Sequence, residues 1–225
     1  MTVRHEIPRP VENPDQQHLA CVVLLDTSGG MRSLESQFLE GLQALVDGIN
    51  NDGNARQRVE LCIATFDNIV TVLESFGSMA SFEMPRLPRC EGMTCMHEAI
   101  RRALELIEER KCAYRVSATP RNRPWIFLLT DGHATDSDKG AEAALFDAQN
   151  GKHCIFCGIG LGYGADTELL KRLNVNNLSF GASRDDFIGA FRFLSDCLCK
   201  ASNTTPGESM TLPNPEDYQL TPIRI

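Results

Sequence analysis

The chain has 225 residues, of which 42% are hydrophobic and 23% charged, a composition that excludes intrinsic disorder and predicts a folded globular protein. Its formal net charge of −8 argues against a nucleic-acid partner, because an acidic surface repels phosphates. The longest apolar run, residues 19–25, is too short to span a bilayer, so we expect no membrane partner.

The chain divides by composition into three segments. Residues 1–18 are polar and contain three prolines, which predicts an extended N-terminal segment. Residues 19–200 carry the regular patterns of one domain, and residues 201–225 are a proline-rich C-terminal tail. The N-terminus lacks the apolar core of a signal peptide, so we expect a cytoplasmic protein. Its nine cysteines are then reduced and mostly buried.

The first half of the domain predicts a strand, a helix and a hairpin. Residues 19–25 form a continuous apolar run, typical of a strand buried on both faces. Apolar residues then recur at helical spacing, at Leu34, Phe38, Leu42, Leu45 and Ile49. Residues 59–66 and 69–73 predict two strands joined tightly, so one strand is antiparallel to its neighbour.

The second half alternates helices with strands. The predicted helices are a segment with Met96, Ile100, Ala103 and Ile107 on one face, residues 141–149, residues 169–173, and a last helix with Phe187, Phe191, Leu194 and Leu198. The predicted strands are residues 125–130, 153–159 and 178–180, with a loop at 115–123 and a helix cap at Ser183 and Asp186. We therefore predict an α/β fold: a Rossmann-like, doubly wound, mainly parallel sheet with one antiparallel edge strand and helices on both faces.

Three separate loops supply oxygen ligands. They are residues 26–30 (Asp-Thr-Ser-Gly-Gly), 92–94 (Gly-Met-Thr) and 130–132 (Thr-Asp-Gly). Asp26 and Asp131 each follow an apolar strand, and the carboxyl ends of neighbouring parallel strands meet at one edge of a sheet. Carboxylates and hydroxyls without sulfur or imidazole predict a Mg²⁺-type site.

These loops resemble the metal-ion-dependent adhesion site (MIDAS) of von Willebrand factor A (vWA) domains. Residues 26–30 are similar to that family's Asp-x-Ser-x-Ser loop, 92–94 to its Gly-Gly-Thr loop and 130–132 to its Thr-Asp-Gly loop. The resemblance implies that Mg²⁺, or alternatively Mn²⁺ or Ca²⁺, is held by Asp26, Ser28, Thr94 and Asp131. It also implies a non-enzymatic module that binds a protein partner supplying an Asp or Glu carboxylate.

A longer segment points to one branch of the family. Residues 123–132 (Arg-Pro-Trp-Ile-Phe-Leu-Leu-Thr-Asp-Gly), followed by Thr135 and Asp136, resemble the bacterial TerY-type proteins associated with tellurite resistance. The resemblance implies a cytoplasmic role in stress response or phospho-signalling. A kinase or phosphatase of the same operon is then an expected partner.

One position departs from the family pattern. Gly30 stands where the second serine of the loop is expected, so a hydroxyl ligand is missing. We predict weaker Mg²⁺ binding than a full motif gives, or binding mainly when a partner supplies a carboxylate. Gly30, Met31, Met93 and His133 are expected on the rim that faces the partner.

Two other functions remain open alternatives. A metal-assisted hydrolase would need a general base, for which His133 is the nearby candidate. An adaptor with a vestigial metal site would bind its partner through the proline-rich tail.

Three further motifs are weighed against ordinary structural roles. A Zn²⁺ site from Cys90, Cys95, His97 and His133 is less favoured than rim positions, because the spacing matches no standard knuckle. The glycines of residues 158–165 favour a loop rimming the site over a dinucleotide loop, since they follow a late strand. Cys154 and Cys157 are expected on opposite faces of a strand, in the core.

Overall fold

The computed structural model describes residues 9–205 and 207–223. Residues 1–8 of the predicted N-terminal segment, and residues 206 and 224–225 of the predicted tail, lie outside the described residues. The strands of the described chain form one sheet: β1 (Leu19–Asp26), β2 (Val59–Phe66), β3 (Val70–Glu74), β4 (Trp125–Thr130), β5 (Ile155–Leu161), β6 (Ser179–Ala182) and β7 (Thr221–Pro222).

The sheet is mainly parallel and has the order β3-β2-β1-β4-β5-β6-β7. The five central strands run parallel, while β3 pairs antiparallel with β2 at one edge, which confirms the predicted hairpin and fold class. The short strand β7 pairs antiparallel with β6 at the other edge. The tail thus supplies a second antiparallel edge strand, which its sequence pattern did not predict.

Helices cover both faces of the sheet. They are α1 (Glu35–Asn51), α2 (Ala55–Arg58), α3 (Met96–Val116), α4 (Ala141–Asn150), α5 (Thr167–Arg172) and α6 (Phe187–Asn203), with 3₁₀ turns at Gly29–Leu34, Arg184–Asp186 and Pro215–Tyr218. Helices α1 and α6 pack with the odd-numbered residues of β1, and α3, α4 and α5 pack with its even-numbered apolar residues. This alternation explains why β1 is apolar along its whole length. In the described part of the chain, no helix combines the length and the apolar composition needed to cross a membrane.

Several predicted boundaries shift by a few residues. Helix α3 continues to Val116, so Arg115 lies in the helix and not in the predicted loop. The hydroxyl of Ser183 donates to the carboxylate of Asp186 (2.6 Å) and caps no helix amide, so the predicted cap is not formed. Cys154 and Cys157 are buried in the two opposite cores, as predicted.

A network of buried polar side chains joins α3 to β2. Arg110 donates two hydrogen bonds to the carboxylate of Glu60, each 2.6 Å long, and the Tyr114 hydroxyl donates to the same carboxylate. The Nδ1 atom of His18 lies 3.0 Å from Glu60 Oε1. All four side chains are buried. Burial alone would raise the pKa of Glu60, but the close contact with His18 and the hydrogen bonds from Arg110 outweigh it and lower the pKa to about 2.

Candidate metal centre

The site lies where the strand order reverses, between β1 and β4. These strands pair in parallel with Leu25 opposite Leu129, so Asp26 and Thr130 end beside each other at the carboxyl edge. The Thr130 hydroxyl donates to Asp26 Oδ2 (2.6 Å), and the Ser28 amide donates to Asp26 Oδ1 (2.8 Å). The carboxylate of Asp26 is therefore fixed and fully buried.

Asp131 brings a second buried carboxylate to the same place. Burial raises the pKa of Asp26 against the hydrogen bonds from Ser28 and Thr130, and the charge of Asp131 raises it further. Burial also raises the pKa of Asp131, against the opposing charge of Arg184. The raised pKa values show that the negative charge of each carboxylate is unfavourable at this buried position. A bound cation would stabilise both charges.

Thr94 joins the site through a two-sided contact with the loop that follows Asp131. Its amide donates to the Thr135 hydroxyl (2.9 Å), and the Thr135 amide donates to the Thr94 carbonyl (2.9 Å). A Cβ atom added to Gly132 would lie 3.6 Å from Thr94 Oγ1, which places that hydroxyl beside the Asp131 loop. The Thr135 contact belongs to the longer TerY-like segment but was not predicted as part of the site.

The loop before Thr94 is fixed against the first ligand loop. The Gly29 amide donates to the Gly92 carbonyl (3.2 Å), and the Met93 amide donates to the Asn68 side chain (3.0 Å). Gly92 has φ +87°, and a Cβ atom there would lie 2.6 Å from Asn68 Nδ2, so this position requires glycine. The structure thus brings together the loops of all four predicted ligands: Asp26, Ser28, Thr94 and Asp131.

Arg184 is a component of the site that the sequence analysis missed. It follows β6 at the same edge of the sheet, and its guanidinium donates to Asp131 Oδ2. Its side chain is 40% exposed, so it reaches the carboxylate from the solvent side. The only signal in the sequence was a cationic residue after a late strand, which is too common to single out.

The predicted rim residues are not all on the rim. Met93 is 56% exposed, and His133, whose side chain is 71% exposed, places Nδ1 2.9 Å from Asp166 Oδ2. Gly30 lies directly against the Asp131 carboxylate. The prediction for Met31 is wrong: its side chain is fully buried, because the 3₁₀ turn after Ser28 directs it into the core beneath α1.

The glycines of residues 158–165 have a packing role. A Cβ atom at Gly160 would lie 2.8 Å from Ala165 Cβ and 3.0 Å from Leu170 Cδ1, so glycine lets α5 approach β5. A Cβ atom at Gly164 would lie 3.0 Å from the Asp131 carbonyl oxygen. Residues 158–161 are the end of β5, and residues 162–165 form a loop beside Asp131, so only the second half of the segment is the loop that the sequence predicted at the rim of the site.

The alternative zinc set is not assembled. Of Cys90, Cys95, His97 and His133, only His97 belongs to a close group of potential metal ligands in the described chain, and its neighbours there are Asp138 and Glu142. Cys90 is instead buried in the core, where its amide donates to Glu35 (3.1 Å) and burial raises the pKa of its thiol to about 12.

Comparison with solved structures defines the class of fold. A von Willebrand factor type A protein from Catenulispora acidiphila matches with a TM-score of 0.62 and 15% identity, over 82% of this chain and 43% of that one. Manganese-loaded TRAP protein from Plasmodium vivax matches with a TM-score of 0.57 and 17% identity, over 78% of this chain and 74% of that one. Proximal thread matrix protein 1 from the mussel byssus, with a zinc-occupied MIDAS motif, matches with a TM-score of 0.56 and 16% identity, over 82% and 48%.

The chain therefore has the vWA fold. It spans less than half the length of several of the structures that it matches, including the Catenulispora and mussel proteins. No protein-family model and no curated protein matches the sequence. The TerY-type assignment stays a prediction.

The residues present fit a divalent cation. Asp26 uses one lone pair on each oxygen for the contacts with Ser28 and Thr130, and a carboxylate has further acceptor positions. The donor set consists of carboxylate and hydroxyl oxygens, which suit Mg²⁺, Ca²⁺ or Mn²⁺.

Proposed function

We propose that this chain is a non-enzymatic module that binds a protein partner through a divalent cation held by Asp26, Ser28, Thr94 and Asp131. The observation that carries the proposal is the buried pair of carboxylates, Asp26 and Asp131, at the carboxyl edge of a vWA sheet. A buried acidic pair of this kind costs stability unless positive charge is supplied. A role in cation binding accounts for that cost.

Each residue has a distinct part in the proposed site. Asp26 and Asp131 supply negative charge, while Ser28 and Thr94 supply neutral hydroxyl oxygens. Because Ser28, Thr94 and the glycine at position 30 bring no further negative charge, the cation keeps enough positive charge to attract an anionic ligand from outside. Mg²⁺, when bound, offers a coordination position that water or an outside carboxylate can take. An Asp or Glu of the partner is the ligand that this position would accept.

Two of the structural relatives support the choice of a divalent cation. The TRAP structure is described as manganese-loaded, and the mussel thread protein as having a zinc-occupied MIDAS motif. We assign Mg²⁺ here because the proposed ligands are all hard oxygens, with Mn²⁺ and Ca²⁺ as alternatives.

The cellular setting follows from the TerY-like segment. We place the protein in the cytoplasm of a bacterium, in a stress-response or phospho-signalling system of the tellurite-resistance type. Its proposed partner is a kinase or phosphatase of the same operon. Genes for both enzymes beside this one would support the assignment, and a neighbourhood lacking both would contradict it.

The proposal is tested by affinity capture from the native lysate in Mg²⁺ and in EDTA. We expect the same identified partner to be retained in Mg²⁺ and lost in EDTA, and also lost with the Asp26→Asn variant. Asp47→Asn, at an exposed position on α1, is the matched control and should retain the partner. Recovery of the same partner in EDTA would contradict the proposal.

A second candidate is an adaptor that does not use its metal site. The contact that favours it is the ion pair of Arg184 with Asp131, which already supplies positive charge to one carboxylate. In that case Asp26→Asn keeps the partner, and removal of residues 207–225 loses it.

The hydrolase alternative rests on His133. Asp166 holds its Nδ1 atom and leaves Nε2 free to accept a proton. Phosphatase and nuclease assays with Mg²⁺, on the wild type and His133→Ala, test it. We expect no activity that depends on His133.

A further inference from the structure

A second group of potential metal ligands lies outside the four residues of the proposed Mg²⁺ centre. His97 is in the first turn of α3, Asp138 precedes α4, and Glu142 is in the first turn of α4. One ligand atom from each of the three lies within 4.8 Å of the other two. His97 is buried, with 6% of its surface exposed, while the two carboxylates are partly exposed.

Asp136 fixes the orientation of the imidazole. The Nδ1 atom of His97 lies 3.1 Å from Asp136 Oδ1 and 3.2 Å from the Asp136 carbonyl oxygen, both of which are acceptors. The carboxylate of Asp136 is itself held by the amides of His97 (3.2 Å) and Glu98 (2.8 Å). Nδ1 of a neutral His97 therefore carries the hydrogen, and Nε2 presents its lone pair.

That lone pair faces another acceptor. Nε2 of His97 lies 3.4 Å from Glu142 Oε1, with Asp138 beside them. A lone pair and a carboxylate oxygen at this distance repel each other unless a cation or a proton lies between them. A histidine whose other nitrogen is fixed by a carboxylate is the arrangement that metal-binding histidines commonly show.

We propose that His97, Asp138 and Glu142 form a zinc site, separate from the Mg²⁺ centre. In a tetrahedral site with bonds of about 2.0–2.1 Å, two ligand atoms lie about 3.4 Å apart, which is the observed separation of His97 and Glu142. Imidazole with carboxylate oxygens suits Zn²⁺, whereas Mg²⁺ favours oxygen alone. Three protein ligands leave the fourth position to water.

The local backbone holds the two carboxylates on one side of the site. The amides of Glu142 (2.7 Å) and Gly140 (3.1 Å) donate to the two carboxylate oxygens of Asp138. Gly140 has φ +84°, and the tight turn there brings Asp138 close to the first turn of α4. Arg172 donates to both oxygens of Glu142, at 3.3 and 3.4 Å, from a largely exposed position. The site is thus accessible from solvent.

Zinc at this position would join the beginnings of α3 and α4. Thr94 lies just before α3, and Asp131 lies on the loop that leads to α4. The two loops already share the hydrogen bonds between Thr94 and Thr135. The role we assign to the zinc is structural: it stabilises the loops on which two ligands of the Mg²⁺ centre lie.

The test is a zinc titration of the metal-free full chain in excess Mg²⁺, followed with a chromophoric chelator and by zinc X-ray absorption. We expect one tightly bound zinc per chain, with nitrogen and oxygen ligands and no sulfur. His97→Gln and Glu142→Gln should each weaken zinc binding roughly tenfold or more. Because Glu142 is partly exposed, its variant keeps the test valid if His97→Gln fails to fold.

Two variants serve as controls. His133→Gln removes an exposed histidine, and Asp131→Asn removes a proposed ligand of the Mg²⁺ centre. Neither residue belongs to the proposed zinc site, so both variants should bind zinc as the wild type does. Sulfur ligation, unchanged affinity in Glu142→Gln, or loss of zinc in Asp131→Asn would overturn the assignment. A His97 ring that nitrogen NMR shows doubly protonated near neutral pH, unchanged by zinc, would overturn it as well. Failure of the Mg²⁺ centre alone would leave the zinc result unaffected.

Discussion

Gly30 and Asp131 share one space: a Cβ atom built on Gly30 would lie 2.7 Å from Oδ1 and 2.9 Å from Oδ2 of Asp131. The carboxylate therefore fills the volume that a side chain at position 30 would need. From there it contacts Arg184. The glycine at position 30, which departs from the vWA loop pattern, therefore leaves the space in which Asp131 forms its ion pair with Arg184.

Gly30→Ser should change metal affinity by moving that carboxylate. The serine displaces Asp131 from Arg184 and adds a hydroxyl, so we expect Mg²⁺ to bind severalfold more tightly, by about 1 kcal/mol. Gly30→Ala makes the same displacement without the hydroxyl and is the matched control. Calorimetric titration of Mg²⁺ measures all three proteins. Equal affinities of the wild type and the serine variant would contradict the proposed role of position 30.

Arg184 should compete with the cation for Asp131. Removing its charge with Arg184→Gln frees the carboxylate, so we expect Mg²⁺ affinity to rise severalfold, on the order of 1 kcal/mol. The exposed Arg192 on α6 offers a control substitution, Arg192→Gln, with the same loss of net charge. If both variants change Mg²⁺ affinity equally, the effect comes from the overall charge of the protein, and Arg184 does not compete with the cation for Asp131.

Asp26→Asn should stabilise the protein when no metal is present. Burial raises the pKa of Asp26 in the folded state, so folding favours the protonated form, and this group's contribution to stability falls as pH rises above the ordinary pKa of aspartate. At neutral pH in EDTA the asparagine variant should therefore unfold at a Tm about 2–4 °C higher, for a gain of roughly 1 kcal/mol.

The same calorimetric scans with added Mg²⁺ complete this test. The wild type should gain stability from a bound cation, and Asp26→Asn should gain none. If Asp26→Asn is less stable than the wild type in EDTA, the buried negative charge of Asp26 does not destabilise the metal-free fold.

Glu60 should make the fold sensitive to acid. Its folded-state pKa of about 2 lies below the unfolded value, so its stabilisation is complete above about pH 5 and is lost as pH falls toward 2. The difference corresponds to about 3 kcal/mol. Urea unfolding of the wild type and Glu60→Gln between these pH values measures it. The wild type should lose this stability and the glutamine variant should not; parallel pH profiles would contradict the assignment.

The strand ends, and with them the positions of Asp26 and Asp131, were predictable from the sequence because they depend on local pattern, whereas the assignment of four metal ligands rests on the family resemblance and stays a prediction. Apolar runs placed Asp26 and Asp131 at the ends of buried strands. Because β1 and β4 pair in parallel, the two residues then lie at the same edge of the sheet. Apolar spacing likewise located the α-helices of the described chain to within a few residues, except α2, whose four residues are too few to show a periodic pattern.

What the sequence did not reveal depends on contacts between distant segments. Arg184 reaches Asp131 from a loop 53 positions away, which no local pattern encodes. Met31 turns inward because a 3₁₀ turn follows Ser28 instead of an exposed loop. The two residues of β7 carry no strand pattern of their own. They form a strand because the tail pairs with the free edge of β6. The grouping of His97 with Glu142 across two helices is of the same kind.

In the proposed site, Thr94 and the acidic pair of Asp26 and Asp131 hold one divalent cation. The most direct test of this binding is calorimetric titration of Mg²⁺ into the metal-free chain, in buffer containing acetate as a substitute for the partner's carboxylate. We predict one Mg²⁺ per chain, with binding roughly tenfold weaker in Thr94→Ala and unchanged in Thr71→Ala, an exposed threonine on β3. No binding to the wild type, or equal binding by the wild type and Thr94→Ala, would show that these residues do not form a cation site.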